Sequence, residues 1–183
     1  LGPLLARCRK AKVSMPGGCA IGYRPVDIHL RGLKALGAKI NLNNGYIIAE
    51  APRGLKGAEI FLGGAFGSTV LGTANVLMAA SLAKGRTIIE SAACEPEVTD
   101  LANFLNTMGA RITGIGSPRL TIDGVRELRP TQYTVIPDRI EAGTFMAAAA
   151  ITKGNLKINN CRIQDLMAVV DKFRNIGVRI ESY

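Results

Sequence analysis

An α/β fold of repeated βαβαββ units is predicted for this chain by three observations. The segment Leu33-Lys34-Ala35-Leu36-Gly37-Ala38-Lys39-Ile40 recurs as Leu105-Asn106-Thr107-Met108-Gly109-Ala110-Arg111-Ile112 and again as Phe173-Arg174-Asn175-Ile176-Gly177-Val178-Arg179-Ile180, at spacings of 72 and 68 residues. Self-similarity at a nearly fixed period marks a repeat architecture. Each copy closes a stretch with apolar residues at helical spacing and leads into a short apolar strand. Between the two stands a glycine, Gly37, Gly109 or Gly177, where a helix stops in left-handed conformation. A unit of roughly 70 residues cannot bury its helix and sheet faces alone, so the copies must pack on one another.

In the first copy, Lys12-Val13-Ser14-Met15 takes a strand position, and Pro25 opens a helix with the stripe Val26, Leu30, Leu33 and Leu36. Proline suits a helix start because its missing N–H has no partner there anyway. After Gly37 a strand follows, and Tyr46-Ile47-Ile48-Ala49 supplies one more. The second copy has an alanine-rich helix, a stop at Ala83-Lys84-Gly85 and the alternating strand Arg86-Thr87-Ile88-Ile89-Glu90. A helix starting at Pro96 then carries Val98, Leu101, Leu105 and Met108 on one face, and Arg119-Leu120-Thr121-Ile122 reads as the last strand. The third copy repeats the stop and strand as Thr152-Lys153-Gly154-Asn155-Leu156-Lys157-Ile158-Asn159, with the stripe Leu166, Val169, Phe173 and Ile176 after it.

Composition narrows the function classes. With 48% hydrophobic and 20% charged residues, the chain carries enough apolar surface for a core and is not a disordered segment. No apolar run approaches the roughly 18 residues that a membrane span needs, and the first residues show no signal-peptide pattern. The expectation is a piece of a longer cytoplasmic protein. Cys8, Cys19, Cys94 and Cys161 are far apart and form no CxxC pair, which speaks against a zinc ribbon or a disulfide scaffold. With His29 as the single histidine, neither a His-based metal cluster nor a Ser-His-Asp triad is readily built, and the sequence shows no metal-ligand cluster. The net charge of +9 favours an anionic partner. Aromatics are only 5% with no tryptophan, so the stacking platform of a single-strand nucleic-acid binder is missing and small anionic substrates are favoured.

Chemistry concentrates in Pro16-Gly17-Gly18-Cys19-Ala20-Ile21-Gly22-Tyr23-Arg24-Pro25. A thiol on a glycine-flanked loop near a fixed positive charge has a stabilised thiolate, whereas a thiol buried among apolar neighbours is inert. The repeat supplies two internal controls, because Cys94 and Cys161 also follow a strand, 75 and 67 residues on. Cys94 precedes Glu95-Pro96-Glu97, whose carboxylates disfavour a thiolate, and Cys161 has no flanking glycines. Cys19 alone has the loop.

The runs Pro16 to His29, Glu95-Pro96-Glu97 and Pro137-Asp138-Arg139-Ile140-Glu141-Ala142-Gly143-Thr144-Phe145 closely resemble the UDP-N-acetylglucosamine 1-carboxyvinyltransferases, enolpyruvyl transferases that start bacterial peptidoglycan synthesis. The resemblance covers essentially the whole chain, while family members are about twice as long. It implies two lobes, each an inside-out α/β barrel incomplete here at both ends. Residues 1–136 would be most of the Cys-loop lobe, in about two units, and residues 137–183 the start of a unit of the second. The implied reaction transfers the enolpyruvyl group of phosphoenolpyruvate to the 3′-hydroxyl of UDP-N-acetylglucosamine and releases phosphate, and on the family's pattern it requires no metal or organic cofactor. Loop closure over the cleft would exclude water.

Roles follow from the matching positions. Cys19 matches the cysteine regarded as the general acid for the phosphoenolpyruvate methylene, and Arg24 the arginine that binds the anionic groups of phosphoenolpyruvate. Arg24, Pro25, Val26, Asp27 and Ile28 match the segment along the uridine, at a helix start with free N–H groups. Asp27 is equally explained as a first-turn carboxylate stabilising the helix. Glu95, Asp138 and Arg139 match positions near the cleft, and Glu95 with Glu97 also suits the start of a helix. His29 reads as packed or solvated rather than catalytic.

The stretch Phe61 to Thr73 departs from the family pattern. It is about three residues longer than in well-known members, and no lysine stands where they have one. Thr69 and Val70 align best with the sugar-nucleotide contacts, although Ser68 or Thr69 also suits a helix cap. Further substrate-binding groups of the family fall before Leu1 and beyond Tyr183, so the 183 residues alone are expected to show little turnover. Two rival readings remain: a shikimate 3-phosphate enolpyruvyl transferase relative, which shares the repeat but lacks the Pro-Gly-Gly-Cys loop, and a basic repeat protein binding RNA.

Overall fold

The structure, a computed structural model, describes residues 1–18, 20, 22 and 24–182. Two compact units divide it, residues 1–133 and 134–183.

The first unit contains two copies of the repeat. Helix α1 (Gly2–Cys8) leads into β1 (Lys10–Ser14), α2 (Asp27–Ala35), β2 (Lys39–Asn43) and β3 (Tyr46–Glu50). After the short β4 (Glu59–Phe61) come α3 (Val70–Ala80), β5 (Arg86–Glu90), α4 (Pro96–Thr107), β6 (Arg111–Thr113) and β7 (Arg119–Asp123). The sheets are built alike. In each, the third strand of the copy lies between the first and second, giving the orders β1-β3-β2 and β4-β5-β7-β6. All pairs are antiparallel except β4 with β5. Surface ion pairs recur at matching positions, Lys10 with Glu50 at 3.0 Å and Arg86 with Asp123 at 2.7 Å.

Strands β3, β5 and β7 bury every second residue, Ile47 and Ala49, Thr87 and Ile89, Leu120 and Ile122, as a sheet with one covered face requires. Under them lies α3, apolar nearly all round and packed against α1, α2 and α4, with Val76, Leu77, Ala79 and Ala80 fully buried. Glycine permits this closeness. A Cβ on Gly32 of α2 would come within 2.4 Å of Val76 Cγ2, so only a residue without one lets α2 settle on α3.

Gly37, Gly109 and Gly177 all have positive φ, between 90° and 97°, as the helix-stop reading requires. Pro96 is the first residue of α4, whereas Pro25 lies one residue ahead of the N-cap Val26. Leu30, Leu33 and Leu36 are buried, as are Val98 and Leu105.

The second unit holds α5 (Arg139–Ile151), a 3-10 turn (Ile163–Leu166) and α6 (Met167–Asn175). Three expectations change here. Residues 155–159 and 178–180 do not pair as strands. In the other copies both such strands hang on a third, β3 or β7, and the described residues of the second unit contain no counterpart of it. The left-handed residue after α5 is Lys153 (φ 52°), one before Gly154. The α6 core position is Val170 beside Leu166 and Ala142, while Ile176 is exposed, because this small core reaches only the first turns of the helix.

Candidate functional site

Arg24 and Pro25 are exposed just ahead of α2, and Val26 is its N-cap, with no side chain closing the helix start. Asp27 occupies the first turn, where a carboxylate meets the positive end of the helix dipole. Ile28 is half-buried on the core. Cys19 lies outside the described residues. Among its described neighbours, Gly22 has φ 145°, a conformation L side chains rarely adopt, so this position requires glycine.

The glycine-rich stretch after β4 forms a tight turn. Gly64 N donates to Gly67 O at 2.8 Å and Gly67 N to Gly64 O at 3.1 Å, with Ala65 and Phe66 at the tip. The turn bears on α2: Arg31 Nη2 donates to Gly63 O at 2.7 Å, and a Cβ on Gly64 would stand 2.8 Å from Ile28 Cδ1. On the other side, a Cβ on Gly63 would lie 3.1 Å from Ser91 Oγ. The turn thus joins the start of α2 to the connection between β5 and α4. Thr69 is the N-cap of α3, its Oγ1 accepting from Gly72 N at 3.2 Å, and half-buried Val70 follows as the first helical residue.

Ser91 leaves β5 with φ 57°, in the left-handed region that a non-glycine residue occupies only when its surroundings hold it there. The segment after it is fastened by Ala92 N to Pro118 O at 2.9 Å and by Ala93 N to the buried Thr73 Oγ1 at 3.0 Å. Glu95 is the N-cap of α4 and makes no side-chain cap. Its Oε2 is buried with no hydrogen-bond partner among the described residues. Ser68, Ser91, Ala92, Cys94, Glu95 and Pro118 line an open cavity of about 470 Å³. Two hydroxyls, a thiol, a carboxylate and an unclosed helix start suit a polar, partly anionic ligand that brings its own donors to Glu95.

Thr73 fixes this geometry from below. Thr73→Val is isosteric but leaves the buried Ala93 N–H without its acceptor, so a loss of about 1–3 kcal/mol is expected in denaturant unfolding. Thr73→Ser keeps the acceptor and should lose less; equal losses would mean that packing, not this hydrogen bond, sets the value.

The structure gathers Asp27, Ile28, Thr69, Val70 and Glu95 into one region of the first unit. Asp138 and Arg139 belong to the second unit, where Asp138 caps α5 by accepting from Ile140 N at 2.8 Å and Glu141 N at 3.1 Å. His29 is half-buried with Nδ1 3.3 Å from Asn75 Nδ2, and burial, aided by the charge of the chain's amino terminus, lowers its pKa below the ordinary value. The cavity-lining positions of Ser68, Ser91 and Cys94 escaped the sequence reading, in which Ser68 stands only as an alternative helix cap. Only the repeat hinted at Ser91, through Asn160 at the matching place, which shares its left-handed conformation (φ 55°).

The family model of EPSP synthase (3-phosphoshikimate 1-carboxyvinyltransferase) matches residues 1–183. The chain is 55% identical over 181 residues to UDP-N-acetylglucosamine 1-carboxyvinyltransferase of Methylacidiphilum infernorum, covering 99% of this chain and 43% of that protein. Its counterpart in Trichlorobacter lovleyi is 56% identical over 182 residues, with 100% and 43% covered. Among solved structures, the enolpyruvyl transferase NikO from Streptomyces tendae superposes with a TM-score of 0.79 at 22% identity, over 99% of this chain and 44% of that one. EPSP synthase from Acinetobacter baumannii gives 0.57 at 23% identity, over 81% and 34%. At these identities the superpositions speak for the fold alone. The chain spans about 43% of the length of the curated relatives.

Proposed function

We propose, from the premise that this chain belongs to the EPSP synthase (3-phosphoshikimate 1-carboxyvinyltransferase) family, that it is part of a cytoplasmic enolpyruvyl transferase acting on phosphoenolpyruvate and UDP-N-acetylglucosamine. The observation that carries the acceptor is identity above one half, along nearly the entire chain, to relatives named for that sugar nucleotide. Residues 1–136 are assigned to the Cys-loop lobe and 137–183 to the second lobe, each lobe closing into an inside-out barrel in the whole protein.

The addition step forms a bond between the 3′-oxygen and C2 of phosphoenolpyruvate as the 3′-hydroxyl releases its proton to solvent, while another proton reaches the methylene carbon, giving a tetrahedral intermediate. Elimination returns a proton from that carbon and breaks the C–O bond to phosphate. Cys19 supplies the proton that reaches the methylene carbon. Thiols as a class titrate near about 8.5, close to working pH, which suits an acid that must give up and recover a proton. Arg24 offers a planar, permanently charged fork for phosphate or carboxylate. The segment 24–28, the 63–67 turn and the α3 start, with Thr69 and Val70, take the sugar nucleotide, backbone N–H groups standing in for the lysine of other members.

The test is phosphate release by a polypeptide of the relatives' length that contains this sequence. Release that requires both phosphoenolpyruvate and UDP-N-acetylglucosamine is expected; release with shikimate 3-phosphate in place of the sugar nucleotide would overturn the acceptor assignment.

A further inference from the structure

A second concave site lies at the far end of α4, roughly 18 Å along the helix from Glu95 at 1.5 Å per residue. Thr107, Met108, Gly109, Arg111, Val125, Arg126, Glu127 and Arg129 line a cavity of about 380 Å³. It forms because the chain after β7 turns back over the helix end, where Arg129 N donates to Met108 O at 2.8 Å. Three arginines, Arg111, Arg126 and Arg129, and one carboxylate, Glu127, thereby line one cavity. Arg111 has a structural reason to be there, since it stands opposite Asp123 in the sheet, as Lys39 stands opposite Glu50. That Asp123 carboxylate is held by Arg86, through Nε at 2.7 Å and Nη2 at 3.0 Å. Arg126 and Arg129 have no such reason: neither side chain makes a hydrogen bond or ion pair among the described residues, and both are exposed.

We propose that this cavity is a binding site for a small organic phosphate, separate from the transferase site. Its volume suits a ligand of metabolite size and is too small for a folded partner or a nucleic-acid strand. Arginine's planar fork matches phosphoryl oxygens in pairs, and the two unpartnered guanidiniums are available to do so. Met108 and Val125 offer the organic part an apolar contact. The positive charge itself is a property of the repeat, because Arg53 and Lys56 hold the places of Arg126 and Arg129 in the first copy, with Lys56 N donating to Leu36 O at 2.9 Å. Those two residues do not line the cavity, so they separate a built site from diffuse attraction.

Phenyl phosphate and inorganic pyrophosphate are the probes, titrated into the chain at fixed ionic strength and followed by calorimetry and by amide shifts. Arg126→Ala/Arg129→Ala is expected to weaken both by about tenfold or more, while Arg53→Ala/Lys56→Ala, which removes the same charge, leaves affinity within about twofold. Shifts should concentrate at Gly109, Val125 and Arg126. Equal weakening by the two double variants would reduce the effect to net charge and overturn the proposal. Shifts confined to residues 24–28 and 63–70 would do so too, by placing the anions in the transferase site. Binding of an RNA oligonucleotide lost in Arg126→Ala/Arg129→Ala, with no response to the small phosphates, would overturn it in favour of a macromolecular partner.

Discussion

Replacing Cys19 by alanine, in a polypeptide of the relatives' length that carries this sequence, is expected to lower turnover by about 100-fold or more. A positioned general acid contributes on the order of 10²–10⁴ in rate. Cys19→Ser separates acidity from shape. The hydroxyl nearly fills the thiol's place but is far too weak an acid to share its role, so the serine variant should be nearly as slow as the alanine one. A serine variant with full activity would end the general-acid assignment. The structure also gives the thiol chemistry a control. Cys8 and Cys94 are exposed and Cys161 is half-buried, so accessibility alone would spread an alkylating reagent over several cysteines. An epoxide phosphonate is expected to label Cys19 first, because reactivity follows thiolate character and nearby positive charge as well as access. Mass spectrometry showing equal labelling of Cys8, Cys94 and Cys19 would leave the loop with no special reactivity.

What could be read from the residues was what local rules decide. Gly37, Gly109 and Gly177 end helices in left-handed conformation, and a glycine at the close of an apolar stripe says so without tertiary help. Alternation in Arg86 to Glu90 and in Arg119 to Asp123 likewise reports one covered face. Strand pairing is not local, which is why residues 155–159 and 178–180 carry strand-like sequences without forming strands. The same holds in the site. The helix-cap reading of Thr69 was legible as one alternative from a side chain next to a helix, and its Oγ1 does accept from Gly72 N. The left-handed Ser91 was not, because its conformation is imposed by the bonds of Ala92 to Pro118 and of Ala93 to Thr73, partners 26 and 20 residues away in sequence. The second cavity was illegible for a similar reason: Arg111 and Arg129 face one space only because the chain after β7 folds back onto Met108.

Gly124→Ala is expected to destabilise the first unit by about 3 kcal/mol or more, at or above the upper end for overpacking. Comparison of the two copies argues for the opposite outcome. Ala51 holds the matching place after β3, buried, with its N–H donating to Arg9 O at 2.8 Å just as Gly124 N donates to Gly85 O at 3.0 Å. An alanine there is plainly tolerated in the first copy. In the second, the chain passes against the last residue of α3 and the turn that follows it, and a Cβ on Gly124 would stand 1.6 Å from Ala83 O, 2.8 Å from Ala83 C and 3.3 Å from Ala80 O. These are backbone atoms of fully buried residues, so no side-chain rotation relieves the overlap; either α3 shifts or the segment after β7 lifts away. Lifting would also break the bond from Val125 N to Ser81 O at 2.9 Å. Hydrogen exchange at Ile89, Leu120 and Ile122, whose amides open with the core of this unit, measures the loss. Ala51→Gly serves as the companion and should cost only about 0.5–1 kcal/mol, from added backbone freedom. If Gly124→Ala protects these amides as well as the parent does, the close approach of the chain after β7 to α3 is wrong.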